Sequence, residues 1–391
     1  MLPTPATSRS RHKPFFPSLQ QQDSASNRSI LHQLRARTRL TNLAVLLLIS
    51  IMGCSLLLNA AHVLSGPVRP GYSRAHNSES WIELSTAEQV RSGIPLSIET
   101  TIERDARFAE LDHLVMVPGH AIWVGHDPSR VEMDEEWVLE PMQRGGSVKT
   151  YLKHIRQGVE TLRRDPRALL VFSGGATRPP PSPPLPEGLS YRTLAHSLDL
   201  IPSTSLSEMD SSAPLPLNLR AVTEEYALDS YENVLFSLAR FHEITGRWPA
   251  KMTVVGYGMK RKRFEQLHRH VIRFPADRFE YIGIDDEGDT SEHYAGEHSH
   301  GYLPFLSSPS GCQPPLSTKR LLRNPYFRYH PYHTSCPALS ELLEWCPPFH
   351  VPQSDIPEDE QWKHVPVFPG DLPWSKPGAF GMGTRWDRER D

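Results

Sequence analysis

Three short apolar runs, each ending at a glycine, constrain this chain most. They are Leu114-Val115-Met116-Val117-Pro118-Gly119, Leu169-Leu170-Val171-Phe172-Ser173-Gly174-Gly175 and Met252-Thr253-Val254-Val255-Gly256. Runs of this kind read as strands buried on both faces that stop at a turn. Helical periodicity lies between them: Tyr151, Leu152, Ile155, Val159 and Leu162 recur at i, i+3 and i+4 spacing before the second run. Alternation of strand and helix predicts an α/β fold with a mostly parallel sheet, and ligands in such sheets sit beyond the carboxyl ends of the strands.

The expected order is a strand over 114–117, a helix over 148–164 with Ser147 as its N-cap, and a strand over 168–172. A short helix over 189–200, a long helix from about 221 to 245 stopped by Gly246, and strands over 252–255 and 279–284 follow. The domain is expected over 108–290, with Pro-rich loops at 178–188 and 201–219. Residues 291–391, rich in Pro, His and aromatics, form an irregular C-terminal tail expected to wrap the domain or stay partly disordered.

Upstream, residues 1–41 carry one acidic residue and no apolar period and are expected to be a disordered basic tail. From Leu43 to Leu64 no Asp, Glu, Lys or Arg occurs, and the run is long enough to cross a bilayer. Residues 42–64 are therefore predicted to be a transmembrane helix acting as a signal anchor, and 65–107 a stalk. Arg28, Arg35, Arg37 and Arg39 precede the run, against Arg69 and Arg74 after it. That asymmetry predicts a cytosolic N-terminus and a luminal or extracellular domain in the secretory pathway.

A formal net charge of -3 argues against a chain built to neutralise nucleic-acid phosphates. The four cysteines include no CxxC pair, which removes the usual zinc and thioredoxin signatures. Two of Cys312, Cys336 and Cys346 can pair in an oxidising compartment, and spacing does not choose which. No GxSxG elbow, P-loop lysine motif or GxGxxG fingerprint is present. His293, Glu297, His298 and His300 lie in a polar, glycine-flanked stretch read as a flexible loop, and no metal site is expected there.

What remains is a strand-end ligand site. Gly119, Gly174, Gly175 and Gly256, with Ser173 and Thr177 beside them, can supply turn amides to an anion, and Lys260, Arg261 and Arg263 can supply cations. His120, Glu187 and Glu225 are the proton-transfer candidates. Glu225, Asp229 and Glu232 are expected on one helix face.

In the order Ser173-Gly174-Gly175, Glu187, TEEYALDSYEN and VVGYGMKRKRF, these segments resemble family 218 of domains of unknown function, in a fungal, membrane-anchored branch. The resemblance covers roughly residues 110–288. It implies a Rossmann-like, doubly wound sheet and, from one member, S-adenosylmethionine as a possible ligand. It places Ser173, Gly174, Gly175, Glu187, Asp229, Ser230, Glu232 and Asn233 on the family's matching segments. Lys260 stands where many members have a histidine. Three functions follow as expectations: an enzyme, a transferase or hydrolase acting on a nucleotide-like or glycan-linked substrate; a non-enzymatic binding or scaffold module; and a protein-interaction anchor. The expected ligand is a small anion, S-adenosylmethionine-like or nucleotide-like.

Overall fold

The computed structural model describes residues 27–64, 101, 105–125, 127–204 and 213–375. The expected stalk and the ends of both predicted tails fall largely outside them, as does much of the second Pro-rich loop. The chain divides into two units, Met1–Glu79 and Ser80–Asp391.

Among its described residues the first unit contains one helix, α1 (Asn27–Leu64). Its segment Asn42–Ala60 is long and apolar enough to cross a membrane, and its side chains are largely unburied. The helix begins well upstream of the predicted boundary. Leu, Gln, Arg and Ala are good helix formers, and extending an existing helix costs far less than nucleating one.

Among its described residues the second unit has seven strands: β1 (His113–Pro118), β2 (Ile122–Trp123), β3 (Trp137–Val138), β4 (Ala168–Ser173), β5 (Ala221–Glu224), β6 (Lys251–Gly256) and β7 (Phe279–Gly283). Five form one sheet in the order β5-β4-β1-β6-β7, and every pairing in it is parallel. Strands β2 and β3 make a separate antiparallel pair.

Helices α2 (Ser147–Arg164) and α3 (Glu187–Ser197) cover one face. Their apolar stripes pack on Val115, Val117, Leu170 and Phe172. Helix α2 comes close because residue 158 is glycine: a Cβ there would stand 2.5 Å from Val117 Cγ2. Helix α4 (Ser230–Thr245) covers the other face. With it packs a helix that is π-wound over Arg263–His268 and continues as α5 (Arg269–Val271). Their side chains meet Leu114, Met116, Leu169, Val171 and Val254.

Two local expectations are corrected. The N-cap of α2 is Gly146, at φ +139°, and Ser147 opens the helix with its hydroxyl donating to Asp286 Oδ2 at 3.3 Å. The predicted helix from 221 to 245 is two elements. Ala221–Glu224 is the edge strand β5, in register with Leu170–Ser173, and the helix starts only at Ser230. The ladder offered by β4 outweighs the weak helical preference of Ala-Val-Thr-Glu. Glu225 therefore lies in a loop and does not share a helix face with Asp229 and Glu232.

The tail adds to the α4 side of the domain. It contains α6 (Ser291–Glu297), a π-wound turn over His298–Tyr302, α7 (Leu303–Ser307), α8 (Leu316–Leu322), α9 (Tyr332–Ser335) and α10 (Ser340–Glu344). Tyr302, Phe305, Leu306, Tyr332, Leu342, Phe368 and Trp374 join the core cluster of that face. The stretch read as a flexible loop around His293 is thus helical. A disulfide joins Cys312 to Cys346, and Cys336 is buried with a free thiol.

Candidate functional site

At the carboxyl ends of β1 and β4 the chain makes a tight floor. Gly119 N–H donates to Ser173 O at 2.7 Å. Glu187, the first residue of α3, lies across this floor. A Cβ on Gly119 would stand 2.4 Å from Glu187 Cβ, and one on Gly174, at φ +154°, would stand 3.0 Å from it. These positions are glycine because a glutamate rests on them. Thr177 Oγ1 donates to Glu187 Oε1 at 2.6 Å, and Arg178 Nη2 lies 3.9 Å from the same oxygen. Arg178 also pairs with Glu140 and donates to His120 O at 2.9 Å. Gln143 Nε2 donates to that carbonyl at 2.7 Å. Both side chains hold the backbone that carries His120.

The turn amides expected to cradle an anion are engaged elsewhere. Gly174 N–H donates to Glu224 O at 3.0 Å and Gly175 N–H to Ala227 O at 2.8 Å. Their carbonyls accept from Gly188 and Glu187 at 3.0 and 3.1 Å. The two glycines lock β4, β5 and α3 together and present no free N–H.

Ser173 is also internal. Its hydroxyl lies 2.8 Å from Glu224 Oε2 and 2.8 Å from Asn233 Oδ1. One hydroxyl proton cannot serve two acceptors. Either Glu224 carries a proton or the Asn233 amide is turned to donate. Glu224 further accepts from Tyr226 N–H at 2.7 Å and from the Tyr332 hydroxyl at 3.1 Å. Burial pushes its carboxyl up to about 7, against the hydrogen bonds that lower it. Glu224 was missed in the sequence; its neighbour Glu225 is half-buried and only accepts from Thr223 Oγ1 at 2.7 Å. Reading 221–224 as a strand is the signal that finds it.

Asp229 caps α4, accepting from Glu232 N–H at 3.0 Å, and takes Arg320 Nε at 2.6 Å. Asn233 and Asp229 therefore serve the framework. Gly256 packs under Tyr281, whose hydroxyl would lie 3.0 Å from a Cβ there.

Positive charge gathers on the β6 side. Lys260 Nζ lies 3.4 Å from His120 Nδ1 and 5.4 Å from the centre of the Tyr257 ring. Burial, then the neighbouring Arg263 charge, brings the Lys260 amine down to about 7. Burial and the Lys260 charge also hold His120 well below the usual histidine range. An ammonium can only donate, so beside charged Lys260 the His120 ring is neutral with its proton on Nε2. That Nε2 is buried without a hydrogen-bond partner.

Arg263 is buried, 3.2 Å from Glu297 Oε1, with its guanidinium 5.8 Å from the Phe305 ring centre. From the tail, Arg323 adds its charge to Lys260, and Arg263 and Arg323 both act on Lys319. Lys319 and Arg323 were not legible as site residues, because nothing local separates them from a solvated charged face, and Glu297 was weighed in the sequence only beside His293, His298 and His300 as a metal ligand. His293 and His298, considered as metal ligands, lie 3.7 Å from Asp286 Oδ2 and 2.6 Å from Glu358 Oε1.

The structure thus brings His120, Thr177, Glu187, Lys260 and Arg263 around the strand ends. It commits the polar groups of Ser173, Gly174, Gly175, Asp229 and Asn233 to internal bonds, and leaves Glu225 in the loop after β5.

The chain is similar to the "Uncharacterized protein YOR238W" of Saccharomyces cerevisiae, with 26% identity over 307 residues, covering 68% of this chain and 97% of that protein. No family model matches the chain. No solved structure matches it.

Proposed function

We propose that this protein binds a small phosphate-bearing or nucleotide-like anion at the strand ends of a Rossmann-like, doubly wound domain of the family 218 type. The observation that carries the reading is Lys260. It is an amine drawn among Arg263 and Arg323, with no carboxylate ion pair of its own among the described residues, facing neutral His120. The sheet order supports the place. Connections leave β1 and β6 in opposite directions, so a crevice opens between their carboxyl ends, where His120 and Lys260 follow. S-adenosylmethionine and nucleotides are the first ligands to try.

If the ligand is turned over, Glu187 and His120 are the proton-transfer groups, and Glu187→Gln should stop turnover while leaving ligand-induced stabilisation in place. A non-enzymatic scaffold would show binding alone. The domain's place on the luminal side of a membrane crossed by α1 is part of the proposal. It rests on the arginine asymmetry and gains support from a disulfide that suits an oxidising compartment.

The test is calorimetry and thermal shift on the full chain in nanodiscs, using phosphate, pyrophosphate, nucleotides and S-adenosylmethionine, with Lys260→Gln beside the wild type. Binding lost in the variant supports the reading. No response across the panel, or an unchanged response in the variant, overturns it.

A further inference from the structure

Between α8 and α9 the tail holds apolar side chains out in solvent. Leu321, Leu322, Phe327 and Tyr329 are each at least 72% exposed, and all four fall within nine residues. Hydrogen bonds fix this turn. Asn324 clasps it from both sides: its Nδ2 donates to Arg328 O at 2.9 Å, and its Oδ1 accepts from Arg328 N–H at 2.9 Å. Phe327 N–H donates to Asn324 O at 3.2 Å, and Phe327 itself stands at φ +53°, a costly backbone for a bulky residue. The turn is fastened to the first Pro-rich loop, with the Tyr326 hydroxyl donating to Ser182 O at 2.9 Å and Arg328 Nη2 to Pro184 O at 3.1 Å. A large ring is thus presented to the outside on a braced support.

Charge says what the support faces. No Asp or Glu occurs from 298 to 340, whereas Lys319, Arg320, Arg323 and Arg328 do. Arg328 is exposed and has no carboxylate partner among the described residues. Leucines and aromatics beside arginine, with acids excluded, suit a phospholipid interface: the apolar groups enter the boundary between headgroups and acyl chains, and guanidinium meets phosphate. The same chain carries Asn42–Ala60, long and apolar enough to cross a bilayer. A domain tethered to a bilayer meets its surface at high effective concentration, so a weak contact is enough to dock it. Resting on the reading that α1 crosses a membrane, we propose that residues 321–329 dock on the phospholipid surface of that membrane. Leu321, Leu322, Phe327 and Tyr329 enter the interface, and Arg328 lies on a lipid phosphate.

The experiment is nitroxide spin labelling of the full chain in nanodiscs of phosphatidylcholine and phosphatidylglycerol, without reductant so that the disulfide stays closed. One label goes on native Cys54, exposed on α1 within the apolar segment. The others go on Phe327→Cys and on Met142→Cys, each in a Cys54→Ala chain; Met142 is 83% exposed and serves as the water reference. Buried Cys336 is out of reach of the label. Collision with oxygen, relative to a water-soluble nickel complex, reads depth in the bilayer. The ratio at 327 is expected to be several-fold above that at 142, to fall in Arg328→Glu, and to return to the water value when Leu322→Asp and Tyr329→Asp are added. A ratio at 327 equal to that at 142, with the Cys54 label deep among acyl chains, overturns the docking and leaves the anchor standing. Water-like labels at both 54 and 327 overturn both readings. Low collision with both reagents at 327 marks a protein contact and overturns the lipid surface, as does an excess that survives the two aspartates.

Discussion

Lys260 Nζ approaches His120 Nδ1 to 3.4 Å at the ends of two adjacent parallel strands. Two basic groups this close cannot both be charged without strong repulsion, so one charge is shared by the pair. With Lys260 brought down to about 7 and His120 far lower, the lysine is the group that changes charge near neutrality. Anion affinity should fall as pH rises through that value, being about tenfold weaker at pH 8 than at pH 6. Sulfate is the right probe because its own charge is constant over this range. Calorimetry on Lys260→Arg should show a flat profile; a slope identical to wild type would assign it to another group.

Gly119 should not tolerate a side chain. Gly119→Ala is expected to cost about 1–3 kcal/mol, because its new Cβ must displace a helix terminus and not a flexible tip. Glu187→Ala keeps the offending Cβ and should not relieve the strain, while Glu187→Gly should. A double-mutant cycle from urea unfolding reads this coupling. Equal rescue by both variants would contradict the contact.

Glu224 makes stability depend on pH with a definite sign. Its carboxyl is raised from 4.5 to about 7 by burial. It therefore holds a proton more tightly in the folded than in the unfolded chain. The stabilisation is complete below about 4.5 and is lost as pH rises through about 7, a change of up to roughly 3 kcal/mol. In Glu224→Gln the part of the pH dependence due to this group should vanish. Chemical denaturation at pH 5 and pH 8 measures it, and matching losses in both proteins would rule it out.

The Cys312–Cys346 disulfide closes a segment that contains α8 and spans 34 residues in sequence. Chain entropy alone assigns such a loop about 4 kcal/mol. Replacing both cysteines by serine should lower the melting temperature and weaken sulfate binding, since Lys319 and Arg323 ride on this loop. Lower stability with unchanged affinity would show that the loop holds its place without the bond.

The arginine asymmetry around α1 carries a topological prediction. In intact microsomes the C-terminal domain should resist protease and become sensitive when detergent is added. Digestion without detergent would place the domain on the cytosolic side.

Much of the architecture was readable because the physics behind it is local. Strands buried on both faces are apolar nearly throughout, with Thr253 the one polar residue here, which made Leu114–Val117, Leu169–Phe172 and Met252–Val255 stand out. The stripe Tyr151, Leu152, Ile155, Val159 and Leu162 is buried as its spacing required. Gly246 ends α4 at φ +67°, as a stop in left-handed backbone should. Edge strand β5 escaped notice because four residues carry little periodicity and its hydrogen bonds come from β4, far away in sequence.

Amino-acid order alone determined the apolar segment, the strand–helix alternation and the glycine turns at the strand ends, since each depends on near neighbours. Tertiary structure decided what those turns do. A backbone amide is a free anion donor only if no carbonyl reaches it, and Glu224 and Ala227 reach Gly174 and Gly175. Folding likewise decided that Glu187 covers Gly119, that Cys312 pairs with Cys346, and that the charges of Arg263 and Arg323 bear on both Lys260 and Lys319. Burial and long-range approach set the charge of a lysine or a glutamate, and neither is written in the residues beside it.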